Sequence, residues 1–294
     1  MIKAYIELTK TNILKMVLVT TVLGFAMAND GLKPYDLLLW TLLGTALSSA
    51  GAGALNHYLE RVVDGKMDRT RNRPLPSGRV SPMGALIFGI ALSVAGVSLL
   101  CVQVNYLAAL LAGGTIITYA FIYTPMKRVH WLNTPFGAIP GAIPPLIGWA
   151  GATGGLDKGA YVLFLILFLW QHPHFYAIAW MYRDDYRKGK FQMLPIVEPD
   201  GRATFRQSLA CCLVLIPVSA WPTFLMLSGW LYGIGAMVLG FWFLWVCLQW
   251  RISETVEDAR RVLRASVIYF PLLLLLLLID AFFFDRVLSQ GVGL

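Results

Sequence analysis

The sequence predicts an all-α, polytopic membrane protein: a bundle of nine transmembrane helices, with the N-terminus cytoplasmic and the C-terminus extracytoplasmic. Three observations carry that prediction. The 294 residues are 57% hydrophobic and only 14% charged, against about 25% charged residues in an ordinary soluble domain. Mean hydropathy is +0.65. Apolar stretches of about 20 residues, the length a helix needs to cross a bilayer, recur from one end of the chain to the other.

In chain order the spans fall at 11–28, 36–56, 82–103, 105–124, 132–150, 160–181, 207–228, 230–250 and 266–284. The second ends where polar residues begin, at Asn56, and the fourth ends at Tyr123-Thr124-Pro125, with Lys127 and Arg128 just beyond. The fifth contains Gly137-Ala-Ile-Pro-Gly141 and Pro144-Pro145, which predict irregular, closely packed walls. In the sixth, Pro173, which stands between His172 and His174, frees a backbone carbonyl one turn earlier in the span. The ninth carries Asp280, expected to snorkel or pair near the outer surface. Cys101, Cys211, Cys212 and Cys247 all fall within spans and read as small buried hydrophobes, not as disulfides, haem attachments or zinc ligands. No polar block of soluble-domain size separates the spans, so residues 1–294 read as one integral-membrane domain.

Orientation follows from the loops. With the N-terminus inside, 21 of the 24 Lys and Arg residues lie on the cytoplasmic side, and only Lys33, Lys158 and Arg286 lie outside. The net charge of +8 is thus a topology signal and an attraction to anionic headgroups or substrates, with nothing that indicates nucleic acid. The N-terminus has neither a cleavable signal nor a transit-peptide pattern, and a bacterial plasma membrane is the expected location. Loops 57–81 and 182–206 are long and rich in acids, Arg and Lys, whereas the outer loops near 104, 154 and 229 are short and nearly uncharged. Chemistry is expected on the cytoplasmic face.

Two motif regions, 56–79 and 182–195, stand out there. Asn56-x3-Glu60-x3-Asp64-x3-Asp68 places four polar side chains on one stripe of a helix. Stacked acids at a membrane edge are unfavourable unless a cation binds them, and carboxylates with an amide oxygen are hard ligands suited to Mg²⁺. The second region, Tyr182-Arg-Asp184-Asp185-Tyr186-Arg-Lys188, lies an even number of spans later and therefore on the same side. Two acidic sites flanked by basic residues can hold Mg²⁺ and a diphosphate between them. Arg69, Arg71, Arg73, Lys127, Arg128 and Arg183 are the candidate diphosphate ligands, the arginines through their forked donors. Tyr119, Tyr123, Trp170, Phe175 and Trp180 are aromatics able to shield a cation or to pack the core.

Asn56-His57-x2-Glu60-x3-Asp64 is similar to the Asn-Asp-x2-Asp-x3-Asp motif of the UbiA-type intramembrane prenyltransferase superfamily. The run from Asp64 to Gly78, Gly141 to Trp149, Trp170-Gln-His-Pro-His-Phe175, Ala179 to Tyr186 and Met193-Leu-Pro195 resemble the haem-farnesylating branch of that superfamily. His57 and Glu60 stand where the wider superfamily commonly has Asp, and adjacent Asp184 and Asp185 replace acids spaced by four. The resemblance implies farnesyl transfer from farnesyl diphosphate to a vinyl group of haem b, which forms haem O with Mg²⁺-assisted release of diphosphate. It implies Asn56, Glu60 and Asp64 as one metal cluster and Asp184 and Asp185 as a second, with Asp68 either a ligand or an orienter of Arg69 and Arg73. With haem as acceptor, His174, beside the Pro173 break, is a candidate iron ligand, propionate partner or proton carrier, and His172 and His57 are further acceptor-site candidates; the alternative for each is a satisfied buried histidine. Implied partners are the lipid bilayer and haem A synthase or terminal-oxidase assembly factors. The competing readings are prenylation of an aromatic quinone precursor, a haem-binding scaffold, and a membrane transporter; clustering of the acids at one surface disfavours the last.

Overall fold

The computed structural model describes residues 1–29 and 31–291, with side chains through 277 and at 279 and 280. Arg286, one of the three basic residues assigned to the outer side, lies outside the residues whose side chains are described. All regular structure in the described residues is helical: α1 (Ile2–Leu8), α2 (Thr11–Ala28), α3 (Tyr35–Asp64), α4 (Pro82–Gln103), α5 (Tyr106–Ile116), a π-helical segment (Ile117–Tyr123), α6 (Thr124–Met126), α7 (Asn133–Ala142), α8 (Pro144–Thr153), α9 (Lys158–Met181), α10 (Arg183–Lys188), α11 (Leu194–Val197), α12 (Arg202–Phe224), α13 (Trp230–Ser253) and α14 (Val256–Gly291). Among the described residues, seven helical stretches are long and apolar enough to cross a membrane: α2, α3, α4, the run Tyr106–Met126, α9, α12 and α13.

The fifth expected span, 132–150, is two ten-residue helices, α7 and α8, meeting at Ile143. Pro144 and Pro145 remove two consecutive N–H donors, so the helical ladder cannot run through them. Ile143 nevertheless keeps a helical backbone and its carbonyl accepts from the Leu146 and Ile147 amides. The ninth expected span lies within α14.

The chain divides into two compact units. The first comprises Met1–Phe164 and Tyr182–Val197. Small residues let its helices approach closely, which is how packing is achieved where no hydrophobic effect drives helices together. A Cβ on Gly96 of α4 would meet the Ser48 amide and the Gly44 carbonyl of α3, and one on Gly148 of α8 would run into the Thr21 carbonyl of α2. Leu100, Ala108, Ala112, Ile147 and Ala150 form an apolar cluster beside these contacts. Between α5 and α6 the backbone widens into a π-turn, a feature often found at functional sites. The sequence reason is Pro125, which cannot donate to the preceding turn, together with Thr124, whose hydroxyl donates to the Tyr119 carbonyl at 2.9 Å.

The second unit comprises Leu165–Met181 and Glu198–Leu294. Its core is aromatic: Trp180, Phe205 and Trp250 pack against one another with ring centroids 4.9–6.0 Å apart. Asp280 does not snorkel. It is buried, and its carboxylate accepts the Gly229 and Tyr232 amides, which caps the start of α13. All four cysteines are free: Cys212 and Cys247 are buried, with their thiols 3.5 Å apart, whereas Cys211 is half-buried and Cys101 is exposed on α4, against the expectation of four buried thiols.

Candidate active site

The last two turns of α3 form a polar stripe inside an otherwise small and apolar helix. Asn56, Glu60 and Asp64 are all buried, Asn56 and Asp64 fully so. Their i, i+4, i+8 spacing puts them on one face, and each rung is held by a different basic residue. The Lys10 ammonium donates to Asn56 Oδ1. Lys127 donates to Glu60 Oε1 at 2.8 Å, and Arg73 Nη1 lies 2.9 Å from both oxygens of Asp64. These three cations come from the start of α2, the end of α6 and the loop after α3. Three chain segments therefore neutralise one stripe.

Lys127 shows how tightly the stripe is coupled. Its side chain is only 12% exposed; burial alone would push its ammonium down, but the Glu60 carboxylate beside it holds the pKa well above the ordinary lysine range. The ammonium also lies 4.4 Å from the centre of the Tyr123 ring.

The fourth rung does not belong to the ladder. The helix ends at Asp64, so Asp68 lies in a turn, with its carboxylate exposed and paired with Lys188 and, at 3.6 Å, with Arg71. The Thr70 hydroxyl donates to the Asp64 carbonyl at 2.8 Å, satisfying a helix-end acceptor that a further turn would otherwise use. Helical spacing in the sequence thus continued past the end of the helix.

The second motif meets the same loop. Asp185 accepts the Asp68 and Arg69 backbone amides, both at 3.1 Å, and so clamps the turn that carries Arg73. Arg69 donates to the Tyr186 hydroxyl at 2.9 Å and stacks over the Tyr182 ring. Asp184 is 82% exposed and pairs with Arg187 one turn on. Arg183 opens α10, and exposed Arg128 follows Lys127. The structure therefore gathers Asn56, Glu60, Asp64, Arg73 and Lys127 into one site, brings Asp68, Arg69, Tyr182, Asp185 and Tyr186 together as its supporting loop, and leaves Asp184 and Arg71 at the surface.

Two site residues were not among those expected from the sequence. Lys10 donates to Tyr119 OH at 3.0 Å as well as to Asn56, and Thr124 Oγ1 accepts from Asn56 Nδ2 at 2.8 Å. Lys10 precedes an apolar run, where a lysine reads as an interfacial anchor; only the fold brings it against the end of α3. Thr124 carried a signal in its position before Pro125.

His172 and His174 belong to the second unit. His172 Nδ1 lies 2.7 Å from the Phe168 carbonyl, which can only accept, so Nδ1 carries the proton. His174 Nδ1 lies 2.8 Å from Ser266 Oγ, whose own hydrogen goes to the Leu263 carbonyl, so this Nδ1 donates too. Both rings thus keep a bare Nε2 lone pair when neutral. His57 is buried next to Asn56, and its Nδ1 has no hydrogen-bond partner.

Mg²⁺ takes oxygen ligands, and the stripe supplies an amide oxygen and two carboxylates, each now facing a protein cation. That donor set fits the ion. Among the described residues no three His, Cys, Asp or Glu side chains converge on a point, because the stripe's third donor is an amide and Asp184 and Asp185 serve other partners.

Residues 17–278 match the UbiA prenyltransferase family. The chain is similar to the protoheme IX farnesyltransferase of Solibacter usitatus, with 50% identity covering 94% of this chain and 98% of that one. It is 46% identical to the enzyme of the same name from Salinibacter ruber, covering 95% and 98%. Among solved structures, one described as digeranylgeranylglyceryl phosphate synthase in membranes superposes with a TM-score of 0.81 at 18% identity, covering 95% of this chain and 98% of that one. A UbiA homolog from Archaeoglobus fulgidus bound to GPP and Mg²⁺ gives 0.70 at 14%, covering 93% and 99%. The structural likenesses show the fold, and the match over nearly the whole sequence agrees with the buried Asn56–Glu60–Asp64 stripe: the chain is a member of the UbiA prenyltransferase family.

Proposed function

We propose that this protein transfers the farnesyl group of farnesyl diphosphate to a vinyl group of haem b, forming haem O. The observation that carries the reading is the buried three-rung oxygen stripe with a cation on every rung, in a chain half identical over almost its full length to a protoheme IX farnesyltransferase. Asn56, Glu60 and Asp64 would hold Mg²⁺, which supplies charge neutralisation for the departing diphosphate. A structural relative that binds GPP with Mg²⁺ supports that choice of ion.

The chain's own residues do the rest. Lys127 and Arg73, already set at the stripe, and Arg69, held by Tyr186, offer donors to diphosphate oxygens as the allylic C–O bond breaks. Asp185 fixes the backbone of the turn that carries Arg69. The rings of Tyr119 and Tyr123 shield the allylic cation from water until the vinyl carbon attacks and a C–C bond forms. Water then adds to the neighbouring carbon and loses a proton, leaving the hydroxyethylfarnesyl side chain. His174 or His172, each with a bare Nε2, would serve as the iron ligand for haem b, since two residues apart on α9 they point to opposite sides of the helix and do not share one iron, and the unpartnered Nδ1 of His57 would handle a proton. Haem b is a substrate here.

We likewise infer nine crossings, with α7 and α8 acting together as one and α14 as the last, the N-terminus cytoplasmic and the C-terminus outside, in a bacterial plasma membrane. The one-sided distribution of Lys and Arg supports it. Haem A synthase or an oxidase assembly factor is the expected recipient of the product. The test is to incubate the purified protein with Mg²⁺, farnesyl diphosphate and haem b and to analyse the porphyrins by mass spectrometry. Haem O is the expected product; its absence, with prenylation of an added aromatic acid instead, would give the protein a different acceptor.

A further inference from the structure

Lys10 has a backbone conformation that L side chains rarely adopt, with φ of 53° between α1 and α2. Its carbonyl accepts the Ile13 and Leu14 amides, so it starts α2, and this turn aims its side chain at the stripe. The Asn56 amide it meets has a fixed orientation. The Thr124 hydroxyl spends its hydrogen on the Tyr119 carbonyl, so Thr124 Oγ1 can only accept from Asn56 Nδ2. Asn56 Oδ1 is thereby turned toward the site, where the Lys10 ammonium covers it. A divalent ion at the stripe needs the lone pairs that Lys10, Lys127 and Arg73 now occupy. Of the three, Lys10 hydrogen-bonds only neutral groups, Asn56 Oδ1 and Tyr119 OH, and feels the Glu60 and Asp64 carboxylates only through space, while the other two are in direct ion pairs. It is the cation the stripe releases most readily, and its flexible four-carbon stem lets the ammonium swing.

We propose that Lys10 is a shuttling cation that covers Asn56 before substrate arrives and passes to a diphosphate oxygen when the metal takes Asn56, so that metal and diphosphate bind as a pair. This rests on the metal–diphosphate reading above. A metal arriving alone must expel an ammonium that has no anion to receive it; a diphosphate arriving with the metal supplies that anion.

The experiment uses the full-length protein in detergent, with Mn²⁺ as the spin probe and inorganic pyrophosphate as the anion, and corrects for their complex in protein-free buffer. For the unsubstituted protein, pyrophosphate should tighten Mn²⁺ binding about tenfold or more. In Lys10→Met the metal alone should bind at least as well as before, the tightening by pyrophosphate should fall to within about threefold of none, and the KM for farnesyl diphosphate should rise about tenfold. Lys10→Arg should keep the coupling. Unchanged coupling in Lys10→Met, or equal weakening of metal binding with and without pyrophosphate, would overturn the proposal, as would absence of coupling in the unsubstituted protein, which needs no variant to fold. If the unsubstituted protein bound neither probe, the metal–diphosphate reading itself would fall.

Discussion

At the scale of single residues, the stripe on α3 separates stability from chemistry. Glu60→Ala leaves the Lys127 ammonium buried without its partner, which should cost about 3–5 kcal/mol of stability. Adding Lys127→Met should restore much of that, measurable by thermal unfolding in detergent, while turnover stays low because the proposed metal ligand and the proposed diphosphate donor are both gone. Equal recovery of activity would remove both residues from the machinery. The sign of the Lys127 shift has a consequence for pH. A raised lysine pKa contributes stability that is present below the unfolded value and is lost only as pH rises through the higher folded one. The pair is therefore intact throughout the neutral range, and an alkaline limit on activity below about pH 10 must come from another group. Asp68 shows the opposite case. The hydrogen bond from Lys188 depresses its pKa, so their contact persists above about pH 4 and weakens only as acid titrates the carboxylate. Both side chains are exposed, and Asp68→Asn should keep turnover within about tenfold of normal, since surface pairs contribute little.

At the scale of elements, the π-turn and the glycine contacts decide whether the stripe is presented correctly. Thr124 fixes the Asn56 amide from the end of that turn, so Thr124→Val should weaken metal binding about 10- to 100-fold, as loss of an outer-shell partner does. Unchanged Mn²⁺ affinity would show that Asn56 needs no such support. In the same unit, Gly148→Ala would push a methyl group into the Thr21 carbonyl, and the resulting overpacking should cost about 1–3 kcal/mol or more in thermal unfolding. The same elements show what was legible in the sequence. Asn56, Glu60 and Asp64 could be read as one face because the helical period is strict, and Arg73 and Lys127 because basic residues beside acids invite a diphosphate. Asp68 was misplaced because the four-residue period outlasts the helix, and the end of a helix depends on capping bonds such as Thr70 to Asp64 that no spacing encodes. Asp185 reads as a ligand in sequence and acts as a backbone clamp in space, since a carboxylate serves either use. Lys10 was invisible because its partners lie 46 and 109 residues away.

For the whole molecule, composition alone carried the membrane assignment, while the helix count needed the backbone: Pro144-Pro145 divides one apolar stretch into α7 and α8. The proposed topology puts the loop after α3 and the α10 region on the cytoplasmic side. Cysteines introduced at Ser77 and Lys190 should react with an impermeant maleimide only in inverted vesicles, and those at Lys33 and Lys158 only in intact cells; the reverse pattern would invert the assignment. The proposed mechanism makes the α3 stripe the metal–diphosphate site of haem farnesylation. Single-turnover formation of haem O by Asp64→Asn, compared with the unsubstituted protein at saturating Mg²⁺, tests it most directly. Turnover at least about 100-fold slower is expected, with the labelling pattern unchanged; a near-normal rate would rule the stripe out as that site.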